Sequence, residues 1–324
     1  MKAYLDIVKN VLEYGTEKLP ERKLEGGRKL ENSTIGLPNQ IFSHDMSQGF
    51  PLLTTKKMSL KNIAIELEGF IKGITDKKWY KERGCNIWNE WANPQKVAAD
   101  GFEANKNGEY WVKSKAQEQI DDLGPIYGYQ WRKFDQHYGE YKTWEVGEPN
   151  AGGEFQWDNN SNGVDKGHDQ LKNIVISLKD YPNDRRMVCS AWNPNQINMM
   201  ALPPCHFCWV VTVYNNRLNL FWGQRSCDLP LGVPYNIASY ALLLKLLAKV
   251  GGFECGNLTG ALIDCHIYSN QIEAMKEQVK REPRKLPTLD IICDGEFDIF
   301  QWTHSDLWLI DYNPQEKIKM EVTV

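Results

Sequence analysis

The segment with the most reactive residue types is Pro203–Cys208, with the sequence PPCHFC. Two prolines restrict the backbone ahead of Cys205, and His206 directly follows it. A cysteine becomes a nucleophile when positive charge lowers the pKa of its thiol, and Arg225 is one candidate for that charge. A zinc or redox Cys-x-x-Cys site would need a second ligand pair or a strand–motif–helix context, and neither is present. An inert buried cysteine stays open as an alternative.

Two further clusters place arginine beside a predicted strand end. The segment Gln224–Asp228, QRSCD, follows a β-rich run, and a surface turn with a salt bridge is its competing interpretation. Arg185 and Arg186 lie between a predicted helix and a strand. Twin guanidinium groups suit a phosphate, which they can bind bidentately, although a solvated charge at the end of a helix is the commoner explanation of such a pair. The pair is also a second source of positive charge for a thiolate.

Four more side chains are notable for their positions in predicted elements. Glu66 lies at the edge of the apolar stripe of a helix predicted over Leu60–Lys72, so it is either a snorkelling surface residue or a desolvated acid with a raised pKa. His266 and Tyr268 share one face of a strand, which suits hydrogen bonds to a ligand hydroxyl or a satisfied core pair. Asn236 heads an apolar helix and is predicted to be its N-cap.

Composition limits the class of protein. The 324 residues are 42% hydrophobic and 25% charged, which is typical of a globular chain and excludes disordered or collagen-like proteins. The net charge of −4 gives no support for nucleic acid as a partner. The N-terminal segment has no apolar core of a signal peptide, and no stretch is long enough for a membrane span. We therefore expect a cytoplasmic protein whose eight cysteines are reduced thiols.

Hydrophobic periodicity predicts a single α+β domain with a mostly β core and one buried helix. Predicted helices cover 1–19, 60–72, 169–179, 237–250 and 270–281, and β-rich runs cover 185–192, 206–214 and 217–224. Asn215-Asn216 between the last two runs predicts a hairpin. Two polar segments, 94–122 and 135–168, are interpreted as surface insertions because coherent motifs lie on either side.

The order of the motifs along nearly the whole chain resembles the folate-dependent thymidylate synthases. These motifs are 51–57 (PLLTTKK), 87–91 (IWNEW), 123–132 (LGPIYGYQWR), 184–186 (DRR), 200–206 (MALPPCH), 224–228 (QRSCD), 231–243 (LGVPYNIASYALL), 266–270 (HIYSN) and 281–284 (REPR). The resemblance implies one catalytic domain over residues 1–324, with a mixed β-sheet packed with helices. It also implies a homodimer in which the sheets pack back to back.

The resemblance further implies an activity. Members of the family transfer a one-carbon unit from 5,10-methylenetetrahydrofolate to C5 of dUMP and reduce it with a hydride from the same folate, without a metal. The implied catalytic residues are Cys205, Glu66, Tyr127, Arg225 and Asp228. The implied dUMP ligands are Arg185, Arg186, Arg225, Ser226, Cys227, Asp228, Asn236, His206, His266 and Tyr268. The implied folate contacts are Trp88, Asp228, Thr323 and Val324.

Several of these roles are specific. On the resemblance, Cys205 adds to C6 of the pyrimidine, and Tyr127 assists removal of the C5 proton. The family's counterparts of Arg185 and Arg186 reach the phosphate from the partner subunit, which would make each site composite. The amide of Asn236 would read uracil, because it can donate to O4 and accept from N3–H.

The sequence also departs from the family pattern. No arginine aligns with the phosphate-binding loop near the N-terminus, where Arg28 is a nearby substitute. Glu68-Gly69 replaces the usual Leu-Trp, Gly223 replaces a tyrosine, and Ile263 replaces a glycine. Glu68 is expected to point into solvent. These changes concern phosphate and folate handling rather than the pyrimidine chemistry.

Three alternatives were weighed against the synthase. A dUMP hydroxymethylase uses the same scaffold but lets water capture the one-carbon unit, and the presence of Trp88 and the terminal Val324 argues against it. A dCMP-specific relative is disfavoured because Asn236 and His206 are both present. A catalytically inactive or RNA-binding scaffold is disfavoured by the complete catalytic set and by the acidic charge balance.

Overall fold

A computed structural model describes residues 1–19, 32–92, 121–136, 138 and 167–320. Its helices are α1 (Lys2–Tyr14), α2 (Leu60–Lys72), α3 (Lys77–Glu82), α4 (Tyr127–Lys133), α5 (Gln170–Asp180), α6 (Gly232–Gly251) and α7 (Ile272–Gln278). Its strands are β1 (Thr16–Lys18), β2 (Thr34–Asp45), β3 (Val188–Ser190), β4 (His206–Tyr214), β5 (Arg217–Gln224), β6 (Cys227–Asp228), β7 (Glu254–Tyr268), β8 (Thr288–Ile291) and β9 (Leu307–Ile310). The predicted insertions lie outside the described residues except at their ends.

Seven strands form one mixed sheet in the order β1-β2-β7-β5-β4-β3, with β6 also paired to β7. Strand β7 runs parallel to β5 and β6, whereas the other pairs are antiparallel. Strands β8 and β9 form a separate antiparallel pair. The predicted hairpin between β4 and β5 is confirmed, with Asn215 and Asn216 both at positive φ (51° and 58°), as a two-residue hairpin loop requires. The predicted α+β class is also confirmed.

The buried helix α6 is the centre of the core, and it packs against α2, α5 and the sheet. Most of its residues are Leu, Ala, Ile, Val or Tyr, so almost every face can be buried without leaving polar groups unpaired. Gly252 ends the helix in the left-handed conformation (φ 72°). The carboxyl-terminal residues of β5 and β7 lie near the first turns of this helix. Strand β5 ends at Gln224, and a short loop and then β6 lead from it into α6. Strand β6 pairs with the end of β7 at Asp228 and His266.

The two faces of the sheet differ in burial. Phe42 and Trp222 face the helices and are fully buried, and their rings lie 5.9 Å apart across Gly260 of β7. A Cβ atom at Gly260 would come within 2.3 Å of the Trp222 ring, so only glycine fits between these aromatic rings. The alternate residues, among them Ile41 (62% exposed) and Phe221 (40% exposed), point to the opposite, uncovered face.

Several predicted boundaries were wrong. The N-terminal helix ends at Tyr14 rather than 19, because the next residues pair as β1 with β2. Strands β2 (Thr34–Asp45) and β7 (Glu254–Tyr268) lie outside the predicted helices and β-rich runs, and they pair with each other along most of their length. The C-terminal helix is confined to Ile272–Gln278.

The position of Asn236 is also corrected. Helix α6 begins at Gly232, so Asn236 lies inside it and is not its N-cap. Pro234 is compatible with this earlier start because the first turn of a helix needs no backbone N–H donors. Consequently the Asn236 side chain does not cap the helix and is free to face the sheet.

The expectation that Glu68 points into solvent was wrong. Its side chain is 3% exposed and accepts hydrogen bonds from Lys72 Nζ at 2.6 Å and from the backbone N–H of His304 at 2.9 Å. These donors lower the pKa of the Glu68 carboxyl and outweigh its burial. By contrast the predicted ends of α2 are confirmed, with Ser59 as N-cap and Gly73 as the left-handed stop.

Within the described part of the chain, none of the helices combines the length and apolar character needed to cross a membrane. Over the same residues there is no group of three or more His, Cys, Asp or Glu side chains placed to hold a metal ion.

Candidate active site

Cys205 lies immediately before β4 and is held by backbone hydrogen bonds on both sides. Its N–H donates to the hydroxyl oxygen of Tyr127 at 2.8 Å, and its carbonyl accepts from the N–H of Arg225 at 2.8 Å. Helix α4 supplies Tyr127, and the loop after β5 supplies Arg225. Three residues that are distant in sequence therefore converge at the cysteine.

The guanidinium of Arg225 is fixed beside the thiol by the preceding prolines. Its Nε donates to the carbonyl of Pro204 at 2.9 Å and its Nη2 to that of Pro203 at 2.8 Å. The positive charge lowers the pKa of the Cys205 thiol, as expected, but burial raises it by more. The expected low thiol pKa was thus wrong for the free protein, and the resting thiol is protonated at neutral pH.

Glu66 is the desolvated acid of the two alternatives. It is buried on α2, and burial raises the pKa of its carboxyl to about 8, with the neighbouring Trp88 acting in the opposite direction. At neutral pH the carboxyl is therefore protonated and can either donate or accept a hydrogen bond. Such a group suits proton transfer near pH 7.

Aromatic rings form one wall of the site. The Tyr127 ring contacts both Phe70 of α2 and His206 of β4, with centroid distances of 5.0 Å and 4.3 Å, and the Phe70 and His206 rings lie 6.2 Å from each other. Trp88 lies 6.0 Å from Tyr127 and 6.4 Å from Phe70. These contacts fix the tyrosine ring and exclude water from one side of the cysteine.

Asn236 is oriented by Gln224, a residue for which the sequence analysis predicted no individual role. The buried Gln224 Nε2 donates to Asn236 Oδ1 at 3.0 Å, and its Oε1 accepts from the indole N–H of Trp222 at 3.2 Å. The Asn236 amide N–H₂ is thereby left to donate, and its oxygen keeps a second lone pair. The sequence signals for Gln224 were its place at the end of a β-rich run and its place in the motif QRSCD.

Asp228 and His266 are neighbours because β6 and β7 pair in parallel at these residues. Asp228 Oδ2 accepts from the N–H of Gly232 at 3.2 Å, whereas its buried Oδ1 has no partner in the described structure. Burial raises the pKa of this carboxyl. The rings of His266 and Tyr268 lie 5.3 Å apart on the same face of the strand, as their spacing predicted.

For the other predicted site residues of this region, the structure shows fewer contacts with the groups around Cys205. The Cys227 thiol is fully buried and donates to the carbonyl of Gln224, so only its backbone could reach a ligand. The adjacent Ser226 is half-buried. Thr323 and Val324 lie outside the described residues.

Arg185 and Arg186 are not brought to the cysteine by their own chain. They are exposed in the loop between α5 and β3, at the edge of the sheet. The guanidinium of Arg186 pairs with Asp184 at 2.9 Å and is otherwise open to solvent. In the described part of the chain, neither guanidinium has a hydrogen bond or ion pair with Cys205 or Arg225.

Lys56 is a buried cation that sequence reasoning did not single out. Its Nζ donates to the carbonyl of Pro230 and lies 3.8 Å from Met320 Sδ. Burial lowers the pKa of the ammonium group to about 8, and the charge of Asp228 acts in the opposite direction. The sequence signal for Lys56 was its place in the family motif Pro51–Lys57.

The unusual glycines are explained by neighbouring rings. A Cβ at Gly69 would lie 2.4 Å from the Tyr80 ring, and one at Gly223 would lie 2.9 Å from the Phe207 ring. Aromatic side chains from elsewhere in the chain thus occupy the space at both positions. Ile263 lies on the uncovered face of the sheet, away from the cysteine. The substitute Arg28 lies outside the described residues.

Comparison with known proteins gives a consistent result. The family model described as "Thymidylate synthase" matches residues 2–324. A protein of Mycoplasma mobile named "Thymidylate synthase" is 36% identical over 328 residues, which cover the whole of both chains. A "Bifunctional dihydrofolate reductase-thymidylate synthase" of Paramecium tetraurelia is 37% identical over 322 residues, which cover 99% of this chain and 61% of that relative.

Proposed function

The chain belongs to the thymidylate synthase family, and we propose that it converts dUMP to dTMP through a covalent bond between Cys205 and C6 of the pyrimidine. As a member of that family it is a methyltransferase. The observation that carries the proposal is the convergence of Tyr127 and Arg225 on Cys205, with the buried acid Glu66 on the adjacent helix. A nucleophile, a cation and a proton-transfer group are the parts that this reaction needs.

Addition of the Cys205 sulfur to C6 makes C5 nucleophilic, because the ring electrons then resemble those of an enolate. The thiol proton must leave as the sulfur–carbon bond forms, and the charge of Arg225 favours that loss. The co-substrate 5,10-methylenetetrahydrofolate supplies both the one-carbon unit and the hydride. C5 bonds to the one-carbon unit, and Tyr127 assists removal of the C5 proton as the bond between that carbon and the folate nitrogen breaks. A hydride from the folate completes the methyl group, the sulfur leaves C6 and the C5–C6 double bond is restored, with dihydrofolate as the other product.

The residues present fit a folate. The unpartnered Oδ1 of Asp228 is a buried acceptor, which a pterin N–H would satisfy. The indole of Trp88, buried beside Glu66, would line the folate site. Thr323 and Val324 are proposed as further folate contacts.

Recognition of uracil is assigned to Asn236. Since Gln224 donates to its oxygen, the amide nitrogen faces the base as a donor for O4, and the oxygen can still accept from N3–H. Cytosine presents the opposite pattern at these two positions. His266 and Tyr268 would bind the ribose hydroxyl, and Ser226 the phosphate.

A homodimer is supported by the uncovered face of the sheet. Ile41, Phe221 and Ile263 are each at least 40% exposed, and the strand registers put their side chains on the same face. Contiguous apolar surface of this kind marks an interface in most proteins. Packing two such faces back to back would bury it and, by two-fold symmetry, bring Arg185 and Arg186 to the partner's site.

Mixed dimers test the composite site. A protein with Arg185→Ala and Arg186→Ala and a protein with Cys205→Ala are each expected to be inactive. After subunit exchange in equal amounts, activity should recover to about a quarter of the wild-type value, because half of the dimers regain one intact site. The control mixes Cys205→Ala with Glu66→Gln. In each site Cys205 and Glu66 come from the same chain, so every site of a mixed dimer lacks one of them and activity should not recover. Equal behaviour of both mixtures would contradict the composite site.

The function itself is tested by incubating the protein with dUMP and 5,10-methylenetetrahydrofolate. Dihydrofolate, followed by absorbance, should form in step with dTMP, identified by mass. Hydroxymethyl-dUMP without dihydrofolate would instead mean that water captures the one-carbon unit, and no product would reject both reactions.

A cytoplasmic location is proposed as well. It is supported by the eight cysteines, which are all free thiols in the structure.

A further inference from the structure

Tyr240 is a buried residue to which the reaction has so far given no role. It lies on α6 one turn after Asn236, so both side chains project from the same face of the helix. Its ring stacks on Trp222 at 5.2 Å with an interplanar angle of 13°. Its hydroxyl lies 2.9 Å from Nδ1 of His206, the residue next to the nucleophile.

The direction of this hydrogen bond follows from the surroundings. Burial raises the pKa of Tyr240 well above its usual value, so the phenol keeps its proton. Burial lowers the pKa of His206 to about 3, so the imidazole is neutral and carries one proton. Nδ1 is the only acceptor recorded for the Tyr240 O–H among the described residues. The phenol therefore donates to Nδ1, and the imidazole proton resides on Nε2.

The His206 ring is in turn part of the catalytic wall. It stacks on Tyr127 at 4.3 Å with an interplanar angle of 26°, and the Tyr127 hydroxyl accepts from the N–H of Cys205. The Nε2–H group makes no hydrogen bond to any described residue. It is thus a donor left for a ligand, at a position where the pyrimidine has to lie within bonding distance of Cys205.

Resting on the proposed function, we propose that Tyr240 is a positioning residue that fixes His206 as the Nε2–H tautomer and holds its ring against Tyr127. In this tautomer His206 presents an N–H donor to an acceptor of the bound base. Without the phenol, the imidazole proton could reside on either nitrogen, and the ring could turn away from Tyr127. The expected loss is therefore in the steps at C5 rather than in nucleotide binding.

Trp222 explains why the tyrosine ring is itself well placed. The Trp222 indole stacks on Tyr240 and donates to Gln224, which orients Asn236. One tryptophan of β5 thus supports two side chains of α6 that lie one turn apart. The position of His206 is linked through this arrangement to that of the residue assigned to read the base.

The test is Tyr240→Phe, which removes one oxygen and keeps the ring. We expect kcat to fall about tenfold, the effect of one lost hydrogen bond, with KM for dUMP changed less than about threefold. Release of tritium from dUMP labelled at C5 should slow in parallel. Tyr80→Phe is the matched control, because Tyr80 is equally buried and donates only to the Ile74 carbonyl. It should lose stability without losing kcat.

A second readout does not depend on activity. In protein labelled with nitrogen-15 histidine, the His206 signals should show a protonated Nε2 and an unprotonated Nδ1, with His206→Gln used for assignment. Tyr240→Phe should shift both signals toward a mixture of tautomers. A wild-type proton on Nδ1, or an unchanged kcat in Tyr240→Phe, would overturn the proposal. If Tyr240→Phe fails to fold, the wild-type spectrum decides. Absence of dTMP from the wild-type enzyme would remove the proposed function but leave the tautomer measurable.

Discussion

Replacement of Cys205 by alanine is expected to lower kcat at least about a thousandfold while leaving the affinity for dUMP within a few-fold of wild type. Among the described residues, the Cys205 sulfur is the group proposed to add to C6, and without that bond C5 of uracil is too weak a nucleophile to react. The backbone contacts of residue 205 with Tyr127 and Arg225 do not use the side chain, so the site should keep its shape. Steady-state kinetics and dUMP binding by calorimetry measure the two effects.

Cys208→Ala is the matched control for this variant. Cys208 belongs to the same motif and is half-buried, but it lies against Gly223 and contacts none of the site residues just named. It should retain most of the activity. Mass spectrometry adds a direct check, since a 5-fluorinated dUMP has no C5 proton to lose and should trap a covalent adduct in wild type and Cys208→Ala only. Adduct formation or turnover above about one per cent in Cys205→Ala would reject the assignment.

Glu66→Gln is expected to have the second largest effect, a fall in kcat/KM of about 10² to 10⁴, the usual contribution of a general acid or base. The amide keeps the shape of the protonated carboxyl but cannot give up or take a proton. Glu68→Gln on the same helix is the control, because Glu68 is buried against Lys72 and His304 instead of the catalytic wall. A similar activity loss in both variants would indicate a structural effect of α2.

Glu66→Gln should also raise the free energy of unfolding relative to wild type as the pH increases. The pKa of Glu66 is about 8 in the folded protein against 4.5 when solvated. Folding therefore opposes ionisation, and the wild type loses stability as pH rises from about 4.5 to 8. Since Gln cannot ionise, the free energy of unfolding of Glu66→Gln relative to wild type should grow by roughly 3 kcal/mol between pH 5 and pH 8. Reversible urea unfolding at both pH values measures this, and a constant difference would show that Glu66 is not a buried neutral acid.

Burial sets the charge state of the free site as a whole. It favours the neutral forms of Glu66, His206 and Cys205. Arg225 keeps its positive charge beside them. A site arranged in this way presents positive charge and neutral hydrogen-bonding groups to an anionic nucleotide, and Glu66, with a pKa of about 8, is close to the value that proton transfer near neutral pH needs.

Local sequence patterns were enough to predict the main elements. The α+β class, the bounds of α2 at Leu60 and Lys72, and the hairpin at Asn215-Asn216 all depend on short-range rules of periodicity and turn conformation. The family followed from the order of motifs. Local patterns could also place His266 and Tyr268 on one face, because a strand alternates its side chains.

The contacts among those residues depend on how the elements pack in the tertiary structure. Periodicity left Glu66 between surface and core and put Glu68 in solvent, whereas packing buries both and surrounds each with different groups. The roles of Gln224 and Tyr240 depend on contacts between β5, α6 and β4 that no local pattern contains. Burial, and with it every pKa shift in the site, is a property of the assembled core, since the dielectric around a side chain depends on neighbours that are distant in sequence.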